Sequence, residues 1–296
     1  MPTHVYLMLF CLQNYVFFCT YPNFLVLLQK NQQPTWDFNV INMRISKNQI
    51  KFIRSLSQKK VRDAEQLFLA EGEKCVRELL QSFEPYLIAS SIPLLGVSAL
   101  EASPMEIEQM SQLRHPQGVI AAFRMPNPII AESADELTLA LDGIQDPGNL
   151  GTIIRTADWF GISNIVCSVD TVDCWNPKVV QATMGALARV RVQYTDLYSF
   201  IQRSTQSKAD DAAGKCGSCP VYGTLLDGKN MYLPNAIPCK NSGIIIMGNE
   251  GNGISPAIRN LITHPLFIPS YPADRPTSES LNVAIATAIV LAEFRR

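Results

Sequence analysis

From residue 137 to the C-terminus, short apolar runs alternate with segments whose apolar residues recur at helical spacing. No other feature narrows the possible folds so far. Strands are predicted at 137–141, 165–168, 190–194, 221–225, 243–247 and 266–268, and helices at 150–160, 177–187, 196–202, 255–262 and 280–294. Such repetition predicts an α/β domain around a mostly parallel sheet, whose chemistry collects at the carboxyl ends of the strands.

The remaining sequence reads as a smaller α/β module with a basic start. Arg44, Lys47, Lys51, Arg54, Lys59, Lys60 and Arg62 occur with no acidic residue among them, while Ile50, Ile53 and Leu56 keep a helical spacing. One face can pack while the other presents cations, the footprint of a phosphate-backbone binder, although a solvated helix face looks the same. Lys47, Lys51, Lys59, Lys60 and Arg62 are the candidate RNA contacts. The formal net charge is −1, so any such field is local. A strand at 67–70, a helix through Val76 and Leu79, and a final run at 118–123 complete the module. Met125-Pro126-Asn127-Pro128 is the best linker, giving a front domain at 43–124, a linker at 125–135 and a larger domain at 136–296.

The first 42 residues differ in composition. Residues 5–28 are apolar enough to suggest a signal or membrane segment. No Lys or Arg precedes them, and Gln13, Asn14, Pro22 and Asn23 interrupt the run. Met43 is the expected physiological start, with 1–42 an upstream or poorly ordered extension and no stable membrane association. Cysteines at 11, 19, 75, 167, 174, 216, 219 and 239 are too scattered for a disulfide scaffold and suit the cytoplasm. Cys216-Gly-Ser-Cys219 lacks a second pair or a close histidine, so no metal is assigned.

Three stretches carry chemistry. In the first, Asp146-Pro147-Gly148-Asn149 reads as a turn between strand and helix, with Arg155 in the second helical turn. In the second, an apolar strand runs into Gly248-Asn249-Glu250-Gly251-Asn252-Gly253, where glycines let backbone approach a ligand. The register of a dinucleotide fingerprint is broken there, which removes a nucleotide-dependent oxidoreductase. In the third, Ile268-Pro269 leads through a proline-rich loop to Ser280-Leu281-Asn282-Val283-Ala284. Ser280 can cap the last helix, whereas capping leaves Asn282 unexplained.

In order and spacing these stretches resemble the three motifs of the SpoU (TrmH-like) ribose methyltransferases of the SPOUT superfamily. Residues 46–123 resemble that group's substrate-binding domain, which folds like a ribosomal RNA-binding protein. The resemblance implies a deep trefoil knot that general folding rules would not suggest. It implies S-adenosylmethionine bound there, a homodimer, and methylation of a ribose 2′-hydroxyl in structured RNA, rRNA preferred over tRNA. Cofactor contacts would fall on Gly248, Ile268 and Leu281, largely through backbone, with Leu225, Met247 and Gly253 beside them. Asn149, Arg155, Glu250, Ser280 and Asn282 match the polar catalytic positions. Arg155 is either the base or a phosphate clamp; its guanidinium keeps its proton above pH 12, which favours the clamp. Two departures stand out: the 270–279 loop is longer than usual, and Ala284 replaces a common serine. The rival class is a catalytically silent, knotted RNA-binding protein, against which the full polar set argues.

Overall fold

The structure is a computed structural model that describes residues 43–127, 136–207, 219–272, 278 and 280–296, with three short strands before them. Met1–Asn42 forms its own unit. In it β1 (Leu9–Leu12), β2 (Tyr15–Cys19) and β3 (Leu25–Gln29) pair antiparallel in sequence order. The interruptions at Gln13-Asn14 and Pro22-Asn23 lie outside the described residues. Among the described residues, no helix is long and apolar enough to cross a membrane.

Met43–Arg296 is one compact unit built on two sheets. The front part runs α1 (Lys47–Ser55), α2 (Lys59–Glu65), β4 (Leu67–Glu71), α3 (Glu73–Leu79), β5 (Pro85–Ser90), β6 (Leu100–Glu101), α4 (Pro104–Met110) and β7 (Val119–Arg124). Its sheet is mixed, in the order β4-β7-β5-β6. Helix α1 starts where Ser46 and Gln49 form a reciprocal capping box, and Ile50 and Ile53 then point into the core. One sheet face is covered by α1 and α4, which bury Ile53, Leu69, Ile107, Met110 and Ile120.

The other face, with Phe68, Val76, Leu79 and Phe123, continues without a break into the core of the second sheet. The ring of Phe68 lies 4.5 Å from that of Trp175 between centroids. A linker alone would have left the two parts free to move. Shared apolar packing joins them.

The second part runs β8 (Leu137–Asp142), α5 (Pro147–Trp159), β9 (Asn164–Cys167), α6 (Pro177–Thr183), a 3-10 turn (Ala186–Ala188), β10 (Arg191–Tyr194), α7 (Leu197–Ser207), β11 (Val221–Asn230), β12 (Gly243–Gly248), α8 (Pro256–Arg259), β13 (His264–Phe267) and α9 (Val283–Arg295). The sheet order is β10-β9-β8-β12-β11-β13, and every pairing is parallel. The alternating pattern therefore read the architecture correctly.

Several boundaries differ from expectation for local reasons. Asp146 accepts from the Asn149 N–H at 2.8 Å and Pro147 takes the first helical position. The polar turn is thus the first turn of α5, and Arg155 moves to its third. Met184, at φ 52°, ends α6 early. Strand β11 extends to Asn230 past a register shift between Thr224 and Lys229.

Candidate active site

The carboxyl ends of β8 and β12 lie side by side, with Gly248 opposite Asp142. Each opens into a loop that the other stabilises. Asp142 Oδ2 accepts from the Ser255 N–H at 2.7 Å, and Asn249 Nδ2 donates to Gly143 O at 2.6 Å. Asn249 Oδ1 accepts from the Gly251 and Asn252 amides at 2.9 and 3.0 Å, which folds the glycine-rich segment back on itself. A Cβ on Gly248 would lie 2.3 Å from the Gly253 carbonyl carbon. The absent side chain at Gly248 lets this turn close on its own backbone.

On this frame stands a polar row drawn from all three motifs. Asn282, not Ser280, caps α9: its Oδ1 accepts from the Ala284 and Ile285 amides at 3.0 and 3.3 Å. Its Nδ2 donates to Asn149 Oδ1 at 2.9 Å, and Asn149 Nδ2 donates to Glu250 Oε1 at 3.0 Å. The polarity of this row is forced from one end. Backbone amides can only donate, so Asn282 turns its oxygen to them and its nitrogen to Asn149. Asn149 must then present its own nitrogen to the Glu250 carboxylate. That carboxylate lies by the first turn of α5, where the helix dipole favours negative charge.

The remaining predicted residues divide. Arg155 is exposed on α5 and makes no ion pair or side-chain hydrogen bond among the described residues. Six residues past Asn149, it is about 9 Å further along the helix axis and turned to another face. Ser280 is exposed and takes no part in the row. Leu281 is 48% exposed, and Leu225 and Ile268 are half-buried. The amides of Ile268 and Leu281 have no hydrogen-bond partner among the described residues. Open backbone groups beside aliphatic side chains suit a nucleoside such as that of S-adenosylmethionine. Met247 is 1% exposed within the core, so its side chain does not face a ligand. Gly253, at φ 68°, shapes the turn.

In the basic front, Lys47, Lys51 and Lys60 are exposed. Lys59 bonds Asp63 at 2.9 Å, a contact that raises its pKa. Arg62 does not belong to that surface. It is 1% exposed and bonded to Leu56 O, Ser57 O and Asp173, because it points inward from α2. Asn249 and Asp142, which hold the two loops, went unassigned in the sequence; an Asn two residues before a Gly was the only signal for the former. Cys216 lies outside the described residues.

Residues 136–292 match the SpoU rRNA Methylase family, and residues 47–121 match the MRM3-like substrate binding domain. The 23S rRNA (guanosine(2553)-2′-O)-methyltransferase RlmP of Bacillus subtilis is 32% identical over 259 residues, covering 84% of this chain and 97% of its own. A TrmH-family protein from Porphyromonas gingivalis superposes with a TM-score of 0.70 at 39% identity, over 85% of this chain and 98% of its own. An AdoMet-bound rRNA methyltransferase from Sinorhizobium meliloti does so with a TM-score of 0.70 at 29% identity, over 86% and 96%.

Proposed function

The chain belongs to the SpoU rRNA methylase family, and on that premise we propose that it methylates the ribose 2′-hydroxyl of a guanosine in large-subunit ribosomal RNA, with S-adenosylmethionine as donor. The observation that carries this reading is the row Asn282–Asn149–Glu250, which ties three distant segments into one bonded site at the carboxyl end of the sheet.

S-adenosylmethionine supplies an activated methyl group. The protein must hold a ribose oxygen in line with it and give the hydroxyl proton a destination. Asn149 uses both ends of its amide within the row, so it positions its neighbours. Glu250 Oε2 has no partner among the described residues and is open to a ribose hydroxyl. Ser280 stands exposed two residues before Asn282 and can orient the same group. Arg155, with a free planar fork, grips the phosphate beside the target ribose. The knot belongs to this reading, and β11 lying between β12 and β13 supports it.

So does a homodimer. Trp159 is 85% exposed on the same face of α5 as Arg155, and Ile285 is 53% exposed on α9, which packs against α5. A second copy covering Trp159 would place Arg155 at a subunit boundary. Buried thiols at Cys75, Cys167 and Cys174 support a cytoplasmic location.

The test is transfer of labelled methyl groups to unmethylated ribosomal RNA, followed by mapping of 2′-O-methylated positions. One modified guanosine is expected. Cofactor binding without transfer to any RNA would replace this reading with the silent RNA-binding protein.

A further inference from the structure

Arg62 sits at the seam between the basic front helices and the site. Its Nη1 donates to Leu56 O at 3.1 Å and to Ser57 O at 2.8 Å, in the turn that joins α1 to α2. Its Nη2 donates to Asp173 Oδ2 at 2.6 Å, with the two side chains 2% and 14% exposed. Lys47, Lys51, Lys59 and Lys60 therefore stand on two helices whose junction one guanidinium grips.

On the far side the bonds continue to the motifs. Asp173 Oδ1 accepts from the Trp175 N–H at 3.0 Å, fixing the residue whose ring meets Phe68. The same loop bonds the segment that leads into α5: Val172 N–H to Ile144 O at 2.8 Å, Gln145 Nε2 to Asp170 O at 2.7 Å, and Gly143 N–H to Ser168 Oγ at 2.8 Å. Gly143 O in turn holds Asn249, the neighbour of Glu250. Every step from Arg62 to the site is a hydrogen bond or a peptide neighbour.

We propose that Arg62 is a positioning residue for the RNA substrate: by locking the α1–α2 junction to the 168–173 loop, it fixes the span between the basic helices and the methyl-transfer site. The inference rests on the RNA-methylating reading above. A buried ion pair adds little stability over apolar groups of the same size, so fold stability is a weak account of it. A planar fork with three anchored bonds instead sets a direction. Another ion pair across the seam, Arg189 to Glu78, lies on the more exposed outer edge and holds orientation less firmly. An RNA that must touch both ends is then measured by a span set at Arg62.

Two variants of the full chain test this. Arg62→Met with Asp173→Asn removes both charges together, so neither is left buried alone, and Asn keeps the bond to Trp175. Arg62→Lys keeps the charge and loses the fork. Each is assayed on a long rRNA fragment and on a short one that carries the target nucleotide but cannot reach α1. With melting and cofactor affinity unchanged, KM for the long fragment is expected to rise about tenfold at constant kcat, with the short fragment unaffected. Equal loss on both fragments, or an unchanged KM on the long one, overturns the proposal. A parent that methylates neither sinks the underlying reading and the proposal with it; an active parent with unaltered variants sinks the proposal alone.

Discussion

The side-chain oxygen of Asn149 accepts a 2.9 Å hydrogen bond from Nδ2 of Asn282, 133 residues further along the chain. One amide thus does two tasks, since Asn282 also caps α9. The start of the last helix and the alignment of Glu250 are fixed by the same side chain.

Those two tasks separate by substitution. Asn282→Asp keeps an acceptor for the α9 amides, and a negative charge at a helix N-terminus is favourable. It loses the donor to Asn149 and sets oxygen against oxygen. The expected outcome is an unchanged melting temperature with turnover down about a hundredfold, the cost of a small misalignment at a reacting centre. Asn282→Ala should lose the same activity and about 1 kcal/mol of stability as well. Thermal melts run beside methyl-transfer assays check both, and full turnover in the Asp variant would free Asn149 of any role through this bond.

Gly151 gives a stability prediction whose sign runs against propensity. Gly to Ala inside a helix normally stabilises by about 0.5–1 kcal/mol. Here a Cβ would lie 2.4 Å from Ala182 Cβ and 2.8 Å from Val179 O, because α5 and α6 pack backbone to backbone. Overpacking costs about 1–3 kcal/mol, so it wins. Gly151→Ala should lower the denaturation midpoint in urea without changing its slope.

Much of this was legible beforehand, because it rests on periodicity. Alternating apolar runs gave the parallel sheet, and the three motifs gave Asn149, Glu250 and Asn282. What stayed hidden depends on direction and distance. A cation count cannot tell that Arg62 turns inward while Lys60 turns out. Cap preference alone pointed to Ser280, and only the location of the first helical turn gives that task to Asn282. Nothing in the composition of the Gly248–Gly253 turn distinguishes Asn249 from Asn252, although it is the Asn249 amide that holds Gly143.

Arg155 tests geometry against charge. As an exposed side chain outside any ion pair among the described residues, it contributes little to the fold. Arg155→Lys keeps the positive charge and discards the planar fork. Turnover is expected to fall about ten- to a hundredfold with melting unchanged, as measured by single-turnover methyl transfer. Near-normal turnover would retire the clamp and the base together.

Trp159 lies one turn of α5 beyond Arg155 and is 85% exposed, an unusual place for so large an apolar ring. If a second copy covers it, a charge there should be intolerable at the interface and harmless in the monomer. Trp159→Glu is therefore expected to halve the mass seen by sedimentation at micromolar concentration, while the monomer's circular dichroism stays that of the parent. Turnover should fall with the dimer, because Arg155 on the same helix face would lose the boundary that gives it a substrate to hold. A parent that sediments as a monomer, or a variant that stays dimeric, would move Arg155 to a site within one chain, and the distance along α5 from Asn149 would then have to be bridged by the RNA alone.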